Sequence, residues 1–431
     1  MAIITGKEVI CSMRNLVLFI FICLGAPLFA QDDFRFEDDV YLDYIKSVKF
    51  NHEGLFTSLP LIDLNSTGRL VLSFDDLTAG DKDYTYEIIH CDRNWNRSNL
   101  DEYDFINGFN NEEIENIRYS AGTTVDYTNY SLTLPNDDIE WTLSGNYLLV
   151  VYEDEYDRVP ALTRRFMVVE PLVTVAAQFE ESQNVSKFRT HQAIEVTVNN
   201  ENFRVTNAMS EVSVTFLQNH RWDTAITGVK PRFIRGDNIE FNHVGDNEFA
   251  AGKEFRIVDL RSARSRGPGV HALERLRSRI DVLVQLDKSR YWSSYHTYDD
   301  LNGQFILQNI DRQGGRIESE YMNVYFNIQL ERSLLQGDVY IIGAFCDWKF
   351  KDYNKLEYDS FRDLYSVNFP LRQGFYDYVY AVKNGDEVDY SILEGDWYEA
   401  ENEYTVLTYY SELGSRHDRL IGVANLNTVR L

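Results

Sequence analysis

Gly374-Phe375-Tyr376-Asp377-Tyr378-Val379-Tyr380-Ala381-Val382 places Tyr376, Tyr378, Tyr380 and Val382 at every second position. That period puts four large side chains on one face of a β-strand. Gly374 permits the turn that leads into it. The same alternation recurs up the chain: Leu70, Leu72 and Phe74; Tyr84, Tyr86 and Ile88; Tyr130, Leu132 and Leu134; Ile194, Val196 and Val198; Val212, Val214 and Phe216; Val324, Phe326 and Ile328. One buried and one solvated face is the pattern of antiparallel sandwich strands. About eighteen such segments, at about seven strands to an immunoglobulin-like sandwich, divide into three sandwiches. The expected fold is all-β: three consecutive immunoglobulin-like or early-set β-sandwiches. The chain of 431 residues is long enough for three cores, and aromatic residues at 14% with eight prolines suit strands packed through large rings.

Arg165-Phe166-Met167-Val168-Val169 reads as a closing strand, and Pro171 cannot continue a central ladder. Asp311-Arg312-Gln313-Gly314-Gly315-Arg316 reads as a turn-rich loop before the next strand. The expected domains are 31–170, 171–317 and 318–431. Helical signal is weak: Leu273, Leu276 and Ile280 have the spacing for two or three turns at most. Arg14 followed by the apolar run Leu16 to Phe29 and the polar cluster Gln31-Asp32-Asp33 reads as a signal peptide over 1–30. Cleavage is expected after Ala30, with Ala26 as the alternative; a membrane anchor is the competing reading, but the run falls short of the roughly 20 residues a span needs. Residues 1–12 precede a more usual start at Met13.

The net charge of −26 opposes a nucleic-acid binder and electrostatic adsorption to anionic lipid. No phosphate loop, dinucleotide fingerprint, nucleophile elbow or zinc-protease motif occurs, so no enzyme, cofactor or metal is expected. His90 and Cys91 are adjacent on a strand and point to opposite faces, which disfavours a nucleophile–base pair. Asp299-Asp300-Leu301-Asn302 lacks the spacing of a calcium loop. Beyond residue 30, Cys91 and Cys346 read either as a long-range disulfide or as two buried thiols. One charge feature stands out. Arg261, Arg264, Arg266, Arg275, Arg277 and Arg279 crowd around Arg266-Gly267-Pro268-Gly269 in an acidic chain. They read either as salt bridges to neighbouring acids or as a loop docking on an acidic partner surface, for which Arg261, Arg264 and Arg266 are the candidates.

Val339-Tyr340-Ile341-Ile342-Gly343-Ala344-Phe345-Cys346-Asp347-Trp348 and the hairpin from Leu371 to Tyr380 resemble the early-set sandwich of starch- and glycogen-binding modules. That resemblance implies, as an alternative function, carbohydrate binding through Trp348 and Trp397. Asp223-Thr224-Ala225 resembles the short O-glycosylation site of some Gram-negative periplasmic systems, with Thr224 as acceptor. From about residue 40 onward the chain resembles the type 9 secretion system plug family of Bacteroidota. Tyr86-Glu87-Ile88-Ile89-His90-Cys91-Asp92 with Asn94-Trp95, Glu102-Tyr103-Asp104-Phe105-Ile106-Asn107-Gly108-Phe109 and Glu254-Phe255-Arg256-Ile257-Val258-Asp259-Leu260-Arg261-Ser262 carry the likeness. The family implies a non-enzymatic protein in the periplasm, peripheral to the inner side of the outer membrane. It would close the periplasmic mouth of the outer-membrane translocon β-barrel, without inserting into the membrane or forming homo-oligomers. No residue-level contacts come with this resemblance.

Overall fold

The computed structural model describes residues 33–154, 158–242, 245–312, 316–330 and 336–428. The segment read as a signal peptide, residues 1–30, lies outside the described residues. Phe34 to Leu431 forms one compact unit. It is built almost wholly from strands arranged as sandwiches around three separate cores.

The N-terminal sandwich pairs two sheets. One holds Ile45–His52, Leu70–Asp76, Thr128–Leu134 and Asn116–Tyr119. The other is led by Tyr84–Cys91, Gly145–Glu153 and Val159–Val169. The alternating residues anticipated from sequence meet between them: Phe74 stacks on Tyr130 at 5.3 Å and takes the edge of Tyr84 at 5.1 Å. The second sheet is also buried on its outer face. There Ile89, Leu148, Val150 and Tyr152 pack against Leu217, Leu407, Tyr409 and Leu420 of the next sandwich. Burial on both sides accounts for the unbroken apolar run in Gly145–Glu153.

The middle sandwich corrects the expected domain limits. One sheet is led by Thr174–Glu181 and His191–Asn199. The opposing sheet runs Arg221–Val229, Val212–Gln218, Glu403–Tyr410 and Arg419–Asn427, so its last two strands come from the end of the chain. Tyr404, Val406 and Ile421 share a core with Ile194, Val212 and Phe216. The third sandwich, from Arg256–Asp259 to Glu387–Asp389, is inserted between the halves of the second. The expected boundary between 317 and 318 is no boundary, because Phe305 before it and Met322 after it belong to one core. The stretch with helical spacing is a β-hairpin, Val270–Arg275 and Ile280–Val284, with Leu276 in the turn.

Charged and polar groups join the sandwiches. Arg372 Nη1 lies 2.9 and 2.8 Å from the two carboxylate oxygens of Asp75, and both residues are buried. Tyr321 donates its hydroxyl to Asp75 at 2.6 Å. Lys351 pairs with Asp39 at 2.6 Å and Arg164 with Asp347 at 3.2 Å. Tyr409 donates to Asn146 at 2.8 Å across the other interface. A buried pair contributes little net stability against an apolar replacement, but it penalises any arrangement in which the charges part. These contacts therefore fix the relative orientation of the domains.

Candidate partner interface

The arginine-rich segment begins at the strand Arg256–Asp259, which lies against Gly374–Asn384 in the third sandwich. Arg256 is buried and bound between Asp287, at 2.6 Å, and Glu394. Burial pushes the Glu394 carboxyl up, but the charges of Arg256 and Arg290 outweigh it and bring it down to about 2. Past the strand the chain turns. Asp311 receives the Ser262 hydroxyl and the Ala263 amide, both at 2.6 Å, and Ser262 Oγ accepts the amides of Arg264 and Ser265. The loop then presses onto the strand it left. A Cβ at Gly267 would lie 2.5 Å from the Asp259 carbonyl oxygen, and one at Gly269 would lie 2.4 Å from that of Ile257. Gly269 also has φ +77°, so the approach and the turn both require glycine there.

This scaffold presents the arginines unequally. Arg261 pairs with Asp259 at 2.6 Å, and Arg279 with Asp281 at 3.0 Å. Burial raises the Asp259 carboxyl, but hydrogen bonds from Arg261 more than offset this and hold it below the ordinary range. Arg264, Arg266, Arg275 and Arg277 are exposed, and among the described residues none of them has an acidic partner. Sequence reading selected Arg261, Arg264 and Arg266. Of these Arg261 is taken up by its own strand, while Arg275 and Arg277 belong with the free set. The signal was available: Arg261 and Arg279 each have an aspartate two positions away, on the same face of an extended chain, and the four free arginines have none.

The other sequence candidates fall elsewhere. Trp348 is buried, with Phe255 at its edge at 5.9 Å and the Arg221 guanidinium over its ring at 4.0 Å, so it serves packing and offers no sugar platform. Trp397 is half-buried and stacks on Tyr295 at 6.3 Å. The Thr224 hydroxyl is buried with no hydrogen-bond partner among the described residues, and its burial removes it as a glycosylation acceptor in the folded protein. Cys91 and Cys346 are both free and buried, and burial pushes each thiol up to about 12. His90 packs on Tyr147 at 4.9 Å in the N-terminal sandwich, whereas Cys91 faces the middle one. Asp300 accepts the backbone amides of Phe255 and Asn302, organising its own loop.

Residues 45–170 match the family model described as type 9 secretion system plug protein 1st domain. The N-terminal sandwich is therefore similar to the first domain of type 9 secretion plug proteins. No curated protein matches the chain. The crystal structure of a hypothetical protein from Parabacteroides merdae is similar at 29% identity and a TM-score of 0.87. It covers 91% of this chain and 100% of its own, so the likeness extends well past the N-terminal sandwich.

The N-terminal sandwich meets both other sandwiches around a cavity of about 310 Å³, lined by Lys49, Arg164, Trp222, Phe305, Asp347 and Trp348 among others. Lys49 donates to the Phe305 carbonyl at 3.1 Å, and its ammonium sits 4.2 Å from that ring. Burial, together with the charge of Arg164, brings the Lys49 ammonium down to about 7 despite the nearby Asp347.

Proposed function

We propose that the protein is a non-enzymatic periplasmic plug. It closes the periplasmic mouth of the outer-membrane translocon barrel of the type 9 secretion system, and it does so by binding alone. The observation that carries this reading is the match of residues 45–170 to the first domain of the plug family. The single compact unit of three cross-braced sandwiches supports it, since a stopper must resist deformation as one body. On this reading the chain is exported, stays at the inner side of the outer membrane without inserting, and acts as a monomer. The exposed Arg264 and Arg266 form part of the contact, because charged contacts steer association and respond to salt.

The test is recovery of the tagged full chain from detergent-solubilised outer membranes. A large barrel protein should co-purify, with more than about 1,200 Å² buried between the two. Replacing Arg264 and Arg266 with serine should leave folding intact, since exposed arginines contribute little stability, while retention falls and cells become leakier to large antibiotics. Recovery of the protein alone from membranes that hold the barrel would sink the proposal.

A further inference from the structure

The arginines surround an unpaired sheet edge. Val270–Arg275 is the last strand of its sheet and, among the described residues, pairs only with Ile280–Val284. The register fixes which backbone groups are free. The Leu276 amide donates to the Arg279 carbonyl across the turn, and Glu274 stands opposite Asp281. In an antiparallel pair, alternate residues direct their backbone groups towards the partner and away from it. Leu273 and Arg275, opposite Val282 and Ile280, therefore turn theirs outward. The His271 carbonyl receives the Arg266 guanidinium at 2.9 Å, which places Arg266 at the start of the edge. Arg275 and Arg277 stand at its far end. Six residues of strand span about 20 Å, room for a segment of similar length.

Charge selects the occupant. From Arg261 to Arg279 there are six arginines and one acid, Glu274, in a chain of net charge −26. Positive charge along a free edge repels basic chains and blunts indiscriminate pairing, while a carboxylate-bearing chain is attracted. The edge is also held ready: the glycine loop beneath it is locked to Ile257 and Asp259, so little ordering remains to be done on binding. We propose that Val270–Arg275 receives an extended acidic segment of a partner chain as an added strand. Backbone hydrogen bonds form at Leu273 and Arg275, and Arg266, Arg275 and Arg277 hold the carboxylates. The plug reading enters only in naming the barrel as the partner that supplies the segment.

The test uses the purified full chain and a synthetic peptide of alternating glutamate and valine, about eight residues long. A peptide with lysine in place of glutamate is the control. Binding is followed by fluorescence anisotropy and by amide hydrogen exchange. The glutamate peptide should bind at least about tenfold more tightly than the control, weaken at high salt, and protect amides within 270–275. Arg275→Pro removes an outward amide and should abolish that protection; Arg277→Ser, in the exposed turn, should weaken binding without touching the sheet. Equal binding of both peptides would overturn the proposal, as would glutamate binding without protection at 270–275. Self-association of the chain that Arg277→Ser abolishes would also overturn it, since a second copy would then own the edge. Peptide binding without barrel retention leaves strand addition standing and rejects the plug reading; retention without peptide binding does the reverse.

Discussion

Arg372 and Asp75 show how much depends on single buried charges. Arg372 Nε and Nη2 have no hydrogen-bond partner among the described residues, and the guanidinium rests 4.9 Å from the Tyr127 ring. Asp75 is thus the main counter-charge of a buried cation. Among the described residues, Arg372→Met leaves that carboxylate with only Tyr321 and Asn129 as side-chain donors. It should cost about 3–5 kcal/mol in urea unfolding, and adding Asp75→Asn should recover part of the loss. Additive losses in the double variant would show that the pair is not coupled. Lys49 gives a pH-dependent counterpart. Its folded pKa of about 7 lies below the ordinary lysine value, so between pH 7 and about 10.5 the unfolded chain binds more protons. The burden of the buried charge is full below pH 7 and is relieved as pH rises. Thermal unfolding should show Lys49→Met at its greatest advantage over the native protein near pH 7, shrinking towards pH 10; a constant gap would refute this. Neither role could be read from sequence, because nothing around Asp75 or Lys49 along the chain reveals a partner roughly three hundred residues away.

Individual strands were far more legible than their surroundings. Tyr84, Tyr86 and Ile88 alternate in sequence and share one core, because period two follows from strand geometry alone. The arginine hairpin imitates a helix for an equally local reason. Leu273, Leu276 and Ile280 are three and four apart, as on a helix, but a four-residue turn produces that spacing too and returns Ile280 to the edge opposite Arg275. Half of the candidate site was visible as a cluster of charge. Its other half, the free edge, exists only once the sheet order is known. Gly269 ties the two together. Gly269→Ala sets a Cβ against the Ile257 carbonyl at a positive φ, and should cost about 1–3 kcal/mol locally. Limited proteolysis should then cut between residues 261 and 279 and peptide binding should fall, with the sandwich cores still protected; unchanged resistance would show that the loop is not locked.

The whole molecule hides its organisation from a linear reading. Alternation says that Tyr404 and Val406 have a buried face, but not which sheet supplies the neighbours. Adjacency in sequence assigned them to the third sandwich, whereas they complete the second. A chain ending after residue 402 should therefore lose the middle sandwich and keep the third. Proteolysis should cut within 172–250 and spare 256–394, and a protected middle sandwich in the truncated chain would contradict the topology. Synthesis runs from the N-terminus, so Val212–Gln218 must wait for partners made nearly two hundred residues later. Until then its apolar edge needs shelter, and an interrupted product never acquires it. The nested order thus works as a completeness check: rigidity arrives only with the final strands, and a half-made copy is left soft, sticky and fit for degradation.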